Sequence, residues 1–179
     1  MQTRMVPFSR LVPRLRRIVR QIADETSKTV ELSVNQAEGE LDRSVLERMI
    51  SPLEHILRNA VDHGIEKPED RESKDKPKTG RIEITVSRQG GEAIIQIADD
   101  GAGINVAKVR AKAIEKGLIT ADQDISDQQV VQFILDAGFT TTDKVTQISG
   151  RGVGMDVVQS EVRALGGLIN IETDEGSGT

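Results

Sequence analysis

The chain contains no cysteine among its 179 residues, so it has neither disulfide bonds nor thiolate metal ligands. This absence suits a protein of a reducing compartment. No apolar run approaches the roughly 18–20 residues that a membrane-spanning helix needs. Residues 1–30 are rich in arginine but lack a continuous apolar stretch and a small-residue cleavage site, which argues against a signal peptide. The length indicates one domain, or one domain with an appendage, and is sufficient for a hydrophobic core.

Aromatic side chains are also scarce, because tryptophan and tyrosine are absent and there are only three phenylalanines. Proteins that bind single-stranded nucleic acid usually stack bases on aromatic rings, so the composition disfavours this class. The net charge is −5, yet the first 20 residues contain six arginines and no acidic residue. A basic helix that packs on a partner helix explains this start better than a nucleic-acid or membrane module does. Both histidines, His55 and His63, fall within one short stretch.

The hydrophobic pattern predicts an α+β domain. Apolar residues from Met5 to Ile22 recur every three or four positions, which indicates a helix broken near Pro7 and Pro13. The other predicted elements are a strand at 30–34, a helix over about 42–63 interrupted at Pro52, a solvated loop at 64–80, hairpin strands at 82–86 and 93–98, helices at 106–116, 126–135 and 155–165, and a strand at 168–173. This order predicts a two-layer α/β sandwich with helices on one face of a mixed, largely antiparallel sheet.

A polar stripe runs along the helix predicted before residue 63. His55, Asn59 and Asp62 lie at i, i+4 and i+7 beside the apolar face, and such a stripe is costly unless its members have partners. Asn59 offers a neutral oxygen, which suits a Mg²⁺ ion that phosphates already neutralise. His55 lies one turn earlier, and histidine is a residue type suited to general-base work near neutral pH. The alternatives are ordinary polar capping and a structural histidine.

Asp99 extends the apolar side of a predicted strand, together with Ile95 and Ile97. A carboxylate in that position needs a donor, and the exocyclic amine of adenine is a suitable one. Gly101 and Gly103 follow in an Asp-x-Gly-x-Gly turn, where glycine lets the backbone approach a flat base closely. The alternative is a turn carboxylate that caps the amides of Gly101 and Gly103, an interpretation that fits Asp100 better than Asp99.

A third motif is the glycine-rich run Gly150-Arg-Gly152-Val-Gly154 before the helix that starts near Met155. Backbone amides at such a helix start can bind phosphates. No predicted strand leads into this run, so it is not a dinucleotide-binding fingerprint. It also lacks the Gly-Lys-Ser/Thr of a P-loop.

Together these motifs resemble the ATP-binding domain of the GHKL superfamily (gyrase, MutL and histidine kinases), and within it the CheA-type chemotaxis histidine kinases. The matching segments are His55–Glu66 with the N box, Ala98–Ile104 with the G1 box, Gly138–Thr141 with the F box, Ser149–Asp156 with the G2 box and Gly176–Thr179 with the final Gly-Thr box. The fold that this implies is the Bergerat sandwich. The segment Phe-Ser-Arg-Leu-Val-Pro-Arg-Leu near the start resembles the corresponding segment of the family variant that controls type IV pili rather than flagella.

The resemblance also implies a role for each matching residue. It implies that Asn59 binds Mg²⁺, that His55 lies near the γ-phosphate, and that Arg58, Asp62 and His63 surround the phosphates. It further implies that Asp99 binds adenine beside Gly101 and Gly103, and that Thr140, Gly150, Gly152, Val153 and Gly154 contact the nucleotide in a lid over 138–154. Related ATPases usually carry glutamate at the position of His55, which favours a kinase over a gyrase-like hydrolase.

The expected function is therefore that of a protein-histidine kinase domain, which binds Mg-ATP and supplies its γ-phosphoryl group to a histidine on a separate phosphotransfer domain. The alternative is an ATP-hydrolysing conformational clamp of the gyrase or MutL kind. Residues 1–28 are expected to be the end of a dimerisation helix region with its linker, and residues 29–179 the kinase domain, with a final strand and a regulatory domain expected beyond Thr179.

The resemblance implies the partners of the full-length protein too. They are a phosphotransfer domain of the same or a partner subunit, a second copy in a homodimer, a coupling protein with chemoreceptors, and a response regulator. Neither nucleic acid nor direct membrane insertion is expected. The implied location is the cytoplasm, at membrane receptor arrays.

Overall fold

The computed structural model describes residues 4–136, 139 and 154–179. Its elements in chain order are β1 (Met5–Pro7), a 3₁₀ turn (Phe8–Leu11), α1 (Val12–Glu25), β2 (Val30–Asn35), β3 (Glu40–Asp42), α2 (Arg43–Asn59), a π-helical turn (Ala60–Gly64), α3 (Pro68–Ser73), β4 (Gly80–Gln89), β5 (Glu92–Asp99), α4 (Val106–Glu115), α5 (Asp127–Val131), a second 3₁₀ turn (Gln132–Leu135) and α6 (Met155–Ala164).

The main sheet has the order β2-β4-β5, with β2 parallel to β4 and β5 antiparallel to β4. On β4, residues 80, 82, 84 and 86 are buried and the positions between them are more exposed, which is the alternation of a sheet with one covered face. Helices α1 and α2 supply the other side of this core through Leu15, Ile22 and Leu57. The molecule is therefore the α+β sandwich that the sequence predicts.

Residues 4–25 join this core directly. Phe8, Leu15 and Ile22 are fully or almost fully buried in the same cluster as Ile82 and Ile84. The structure thus packs α1 and the main sheet as one unit across the predicted division after residue 28. A role of residues 1–28 in dimerisation stays a prediction.

The start of the chain differs from the predicted broken helix. Met5–Pro7 is a strand that pairs antiparallel with β3, and Val6 is buried there. The helix begins at Val12, with Pro13 in its first turn, where the missing amide hydrogen has no helical partner to lose. The prediction of a helix from Met5 was wrong because a three-residue strand is too short to show its own periodicity.

Helix α2 passes Pro52 without a break, contrary to the predicted interruption. Pro52 is buried, so its packing offsets the hydrogen bond that proline cannot make. Asp42 caps the start of α2 by accepting a hydrogen bond from the Ser44 amide at 2.9 Å. At its other end α2 continues into the π-helical turn, which carries the chain to Gly64.

Two further predictions were wrong. Residues 64–80 are not only a solvated loop, because they include α3 and the fully buried Arg71. Residues 168–173 do not pair as a strand, and Leu168 is 92% exposed. The reason is a tertiary contact: the Gln132 side chain donates to the Ile171 carbonyl at 2.7 Å and accepts from its amide at 3.2 Å, so a side-chain amide takes the place of a neighbouring strand.

Smaller apolar clusters lie under α4, α5 and α6, with Val109, Val130, Val131 and Ile171 among their buried members. No helix among the described residues is long and apolar enough to cross a bilayer.

Candidate active site

The end of α2 places the predicted polar stripe at the surface of the core. His55, Asn59 and Asp62 are half-buried, whereas the His63 side chain is 51% exposed. Their apolar neighbours Leu53, Leu57 and Ala60 are buried, as the helical spacing predicts. The change to a π-helical turn after Asn59 adds one residue to the turn, a feature that often occurs at functional sites.

Asn59 is turned toward the start of α6. Its Nδ2 donates to the Met155 sulfur at 3.0 Å, and no described residue donates to its Oδ1. That oxygen is the atom suited to a metal ion, so the side chain fits the predicted Mg²⁺ ligand. Among the described residues no group of three acidic, histidine or cysteine side chains is arranged to hold a metal.

The charged residues around Asn59 contact one another or α1. Arg58 Nη1 lies 4.0 Å from Glu25 Oε2 at the end of α1. His63 Nε2 lies 3.7 Å from Asp62 Oδ2. Roles for Arg58, Asp62 and His63 at phosphates stay predictions, as does the role of His55.

Lys28 holds the π-helical turn from the side of α1, and the sequence analysis did not identify it. Its Nζ donates to the carbonyls of Val61 and Asp62 at 2.7 and 2.6 Å. Burial lowers the pKa of Lys28, an effect that the charge of Asp62 opposes. A lone lysine after a predicted helix gives no sequence signal for such a contact.

Asp99 lies at the end of β5, directly opposite the fully buried Ile82 on the apolar face of the hairpin. Its Oδ1 accepts a hydrogen bond from the Gly101 amide at 2.9 Å. Burial raises the pKa of Asp99, although the backbone amides of Gly101 and Thr179 oppose the shift. The location fits an acceptor for a buried amine, and the adenine contact itself stays a prediction.

The two neighbouring aspartates have the reverse of the turn roles that the sequence suggested. Asp99, not Asp100, accepts from the amide of Gly101. The Asp100 carboxylate instead accepts from the Arg81 amide at 2.8 Å and pairs with Arg71 at 3.1 Å. The alternative that the sequence left open, a turn carboxylate on the Gly101 amide, is therefore seen for Asp99 and not for Asp100, whose carboxylate pairs with the buried Arg71.

Glycines bring the π-helical turn and the Asp99 turn together. A Cβ atom at Gly101 would lie 2.1 Å from the Gly64 carbonyl oxygen, and one at Gly64 would lie 3.3 Å from both carboxylate oxygens of Asp99. Gly103 has φ = +75°, a value that favours glycine. Ala102 N donates to Gly64 O at 2.9 Å, which fixes the approach of the two turns.

The last residues of the chain close the far side of this turn. Asp99 N donates to Thr179 O at 2.9 Å, and Gly176 N donates to Ala102 O at 2.7 Å. A Cβ atom at Gly178 would lie 1.9 Å from Asp99 O. The Gly-Thr segment is therefore part of the frame around Asp99.

Of the residues predicted to contact the nucleotide in the lid, only Gly154 lies within the described residues. It has an extended backbone just before α6. Thr140, Gly150, Gly152 and Val153 lie outside the described residues, and so does most of the predicted lid.

Arg71 is the second site-related residue that the sequence analysis missed. Its guanidinium group is fully buried and contacts Asp100, next to the predicted adenine acceptor. Glu66 and Lys76 each lie five positions from Arg71 in the sequence, and charges so spaced in a polar segment look like a solvated surface.

A family model described as histidine kinase-, DNA gyrase B- and HSP90-like ATPase matches residues 49–179. The chain is 48% identical over its full length to the chemotaxis protein CheA of Rhizobium meliloti, and 42% identical over 98% of its length to that of Bacillus subtilis. It covers 24% and 26% of those proteins, so it spans about a quarter of the curated relatives that it matches.

Solved structures of histidine kinases share its fold. The catalytic domain of the histidine kinase ThkA, in a nucleotide-free form, superposes with a TM-score of 0.55 at 16% identity, over 99% of this chain and 91% of that one. The histidine kinase domain of a blue-light-activated kinase from Erythrobacter litoralis superposes with a TM-score of 0.51 at 16% identity, over 97% of this chain and 61% of that one. At this identity the likeness shows the fold alone, and it confirms the predicted α+β sandwich.

The family match covers the α2 stripe, the Asp99 turn and the Gly-Thr end, which are the parts that the structure brings together. The full-length identity to CheA proteins adds the segment before residue 49. The chain belongs to the family of histidine kinase-, DNA gyrase B- and HSP90-like ATPases, as a domain of the CheA type.

Proposed function

We propose that this domain binds ATP with Mg²⁺ and supplies the γ-phosphoryl group to a histidine of a separate phosphotransfer domain in chemotaxis-type signalling. The observation that carries the proposal is the half-buried Asp99 carboxylate, which has one oxygen held by the Gly101 amide and lies against Gly64. A desolvated acceptor beside glycine backbone suits the amine edge of a flat purine.

In this proposal the chain's own residues have separate tasks. Asp99 accepts from the adenine amine, and the Asn59 oxygen holds the ion. When bound, Mg²⁺ would neutralise charge on the phosphate oxygens. His55, one turn before Asn59, accepts the proton that the attacking imidazole loses as the new P–N bond forms and the bond to ADP breaks.

The remaining parts of the phosphorelay belong to the longer protein. We propose that the acceptor histidine, the homodimer contacts, and the contacts with a coupling protein, chemoreceptors and a response regulator are supplied outside this chain or by partners. The relatives named CheA are chemotaxis proteins, which supports this assignment. A cytoplasmic location at receptor arrays is part of the same proposal, and so is the pilus variant.

The test is calorimetric titration of the chain with ADP and ATP, with and without Mg²⁺, followed by γ-labelled ATP and a phosphotransfer domain from a CheA relative. We expect nucleotide binding, little release of phosphate from the domain alone, and label on the acceptor histidine. A variant of the acceptor domain with that histidine changed to glutamine is the matched control. Rapid hydrolysis without any acceptor would favour the clamp instead.

A further inference from the structure

We propose that Arg71 is a positioning residue for recognition of the base, because it holds the turn that aims Asp99. This inference rests on the proposed function, since it concerns the adenine contact of the same site. It assigns a task to the segment between the π-helical turn and β4, which the sequence presents as a charged loop.

The Arg71 guanidinium is fully buried, and each of its three nitrogens has a hydrogen-bond partner. Its Nε donates to Pro77 O at 2.6 Å, and its Nη1 donates to Glu66 Oε1 at 3.0 Å. The same Nη1 contacts Asp100 O at 3.1 Å, and Nη2 contacts Asp100 Oδ2 at 3.1 Å. A buried arginine persists only when its donors are satisfied in this way.

Arg71 and Lys76 together contact the two residues that follow Asp99: Arg71 contacts Asp100, and Lys76 contacts both Asp100 and Gly101. Lys76 Nζ adds bonds to Asp100 O at 3.1 Å and Gly101 O at 2.9 Å. The Arg81 amide holds the other carboxylate oxygen of Asp100. Two cations and one amide therefore fix residues 100 and 101, and the amide of residue 101 is the group that holds Asp99 Oδ1.

The charges of the cluster balance locally. Arg71 and Lys76 face Glu66 and Asp100, and Lys74 Nζ lies 3.7 Å from Glu66 on the solvent side. Burial alone would raise the pKa of Glu66, but the hydrogen bond from Lys76 and the charges of Lys76 and Arg71 lower it. Glu66 therefore contributes its negative charge to the cluster at neutral pH.

Arg71 is the one buried side chain among the six residues of α3. Helix α3 therefore has no apolar face, and the contacts that attach it include those of the Arg71 guanidinium and the 3.3 Å ion pair between Glu72 and Lys78. The main consequence of removing Arg71 is therefore at the Asp99 turn and not in the hydrophobic core.

The test compares ADP with inosine diphosphate, which carries a carbonyl oxygen where adenine has its amine. We expect the wild-type domain to prefer ADP by about tenfold or more, because Asp99 accepts from the amine and repels the carbonyl. In Arg71→Met the preference should fall to about threefold or less, with most of the loss on the ADP side. A merely structural role would weaken both ligands by the same factor.

Lys76→Met is the second variant, because Lys76 is partly exposed and its loss leaves Arg71 in place. Lys76→Met should also reduce the preference for ADP over inosine diphosphate. If Arg71→Met does not fold, this variant alone tests the positioning role. Arg16→Met is the matched control, since Arg16 also binds a backbone carbonyl, that of Leu32, on the opposite edge strand β2. It should leave the preference unchanged.

Asp99→Asn separates the two hypotheses. If the wild type shows no preference for ADP and Asp99→Asn changes nothing, the adenine assignment is wrong and the inference about Arg71 goes with it. If Asp99→Asn removes the preference but Arg71→Met and Lys76→Met keep it, only the positioning role is overturned.

Discussion

Asp99 and Glu66 are neighbouring carboxylates whose pKa values move in opposite directions. Burial raises the pKa of Asp99, whereas Lys76 and Arg71 outweigh burial and lower that of Glu66. The stability that Asp99 contributes is complete below the ordinary aspartate pKa and is lost as pH rises through its raised value. The contribution of Glu66 is complete above the ordinary glutamate pKa and is lost as pH falls through its lowered value.

The affinity of the domain for adenosine should change with pH as the Asp99 carboxyl group ionises. An amine donor needs the carboxylate form, so affinity for adenosine should be gained as pH rises through the raised pKa of Asp99 and lost below it. Adenosine avoids the titration of phosphates. Calorimetry at a series of pH values above the ordinary aspartate pKa measures that transition. Asp99→Asn, of the same shape, should bind weakly at every pH, and an identical profile in both proteins would contradict the assignment.

Asn59 should separate metal binding from nucleotide binding. In Asn59→Ala the base site remains, but the gain in ADP affinity on adding Mg²⁺ and the transfer of phosphoryl groups should disappear, because the Oδ1 ligand is gone. Asn59→Asp is the matched variant, since it keeps an oxygen at the same position and should keep part of the Mg²⁺ effect. Equal Mg²⁺ dependence in wild type and Asn59→Ala would refute the role.

At the scale of elements, the π-helical turn depends on Lys28. Lys28→Met should lower the free energy of unfolding by about 1–3 kcal/mol, because the carbonyls of Val61 and Asp62 lose a charged donor. Urea denaturation measures the change. Lys67→Met is the control, since this exposed lysine lines a surface cleft together with Lys28 and His63 but makes no hydrogen bond to the turn. Equal stability of the two variants would show that the contacts are unimportant.

The elements that the sequence predicts well are those with a long apolar period. Helices α2 and α6 span ten or more residues, and the β4–β5 hairpin alternates apolar and polar residues. The spacing of apolar residues therefore predicts which side of each element faces the core. Strand β3 has three residues, and its pairing with β1 depends on the fold around it. Residues 168–173 do alternate, but the Gln132 side chain satisfies the backbone of Ile171, a tertiary contact that no local pattern reveals.

The site shows the same division. The two-residue period of a strand predicts that Asp99 lies on the apolar face of β5. The 3.6-residue period of a helix predicts the polar stripe through His55 and Asn59. The contacts of Lys28 and Arg71 do not, because a charged side chain is buried only when distant partners meet it. Such partners, Val61 and Asp100, are 33 and 29 residues away in the sequence.

At the scale of the whole molecule, the N-terminal segment is part of the core. Phe8→Ala should lower the free energy of unfolding by about 3–5 kcal/mol, because it empties a fully buried site next to Leu11 and Leu15. Met5→Ala, at a 46% exposed position, should change it by no more than about 0.5 kcal/mol. Denaturant unfolding of both variants is the measurement. A small effect of Phe8→Ala would mean that residues before α1 fold independently.

The contact between Gly101 and Gly64 has a consequence for genetics. A side chain at position 101 meets a backbone carbonyl, so no replacement at position 64 removes the clash, and second-site suppressors should not arise there. The atoms nearest a Cβ at position 64 are those of the Asp99 carboxylate, and a smaller residue at position 99 could relieve that contact. Selection for a folded protein should recover that double change, whereas selection for signalling should reject it, so the two screens would yield different survivors from one mutant library.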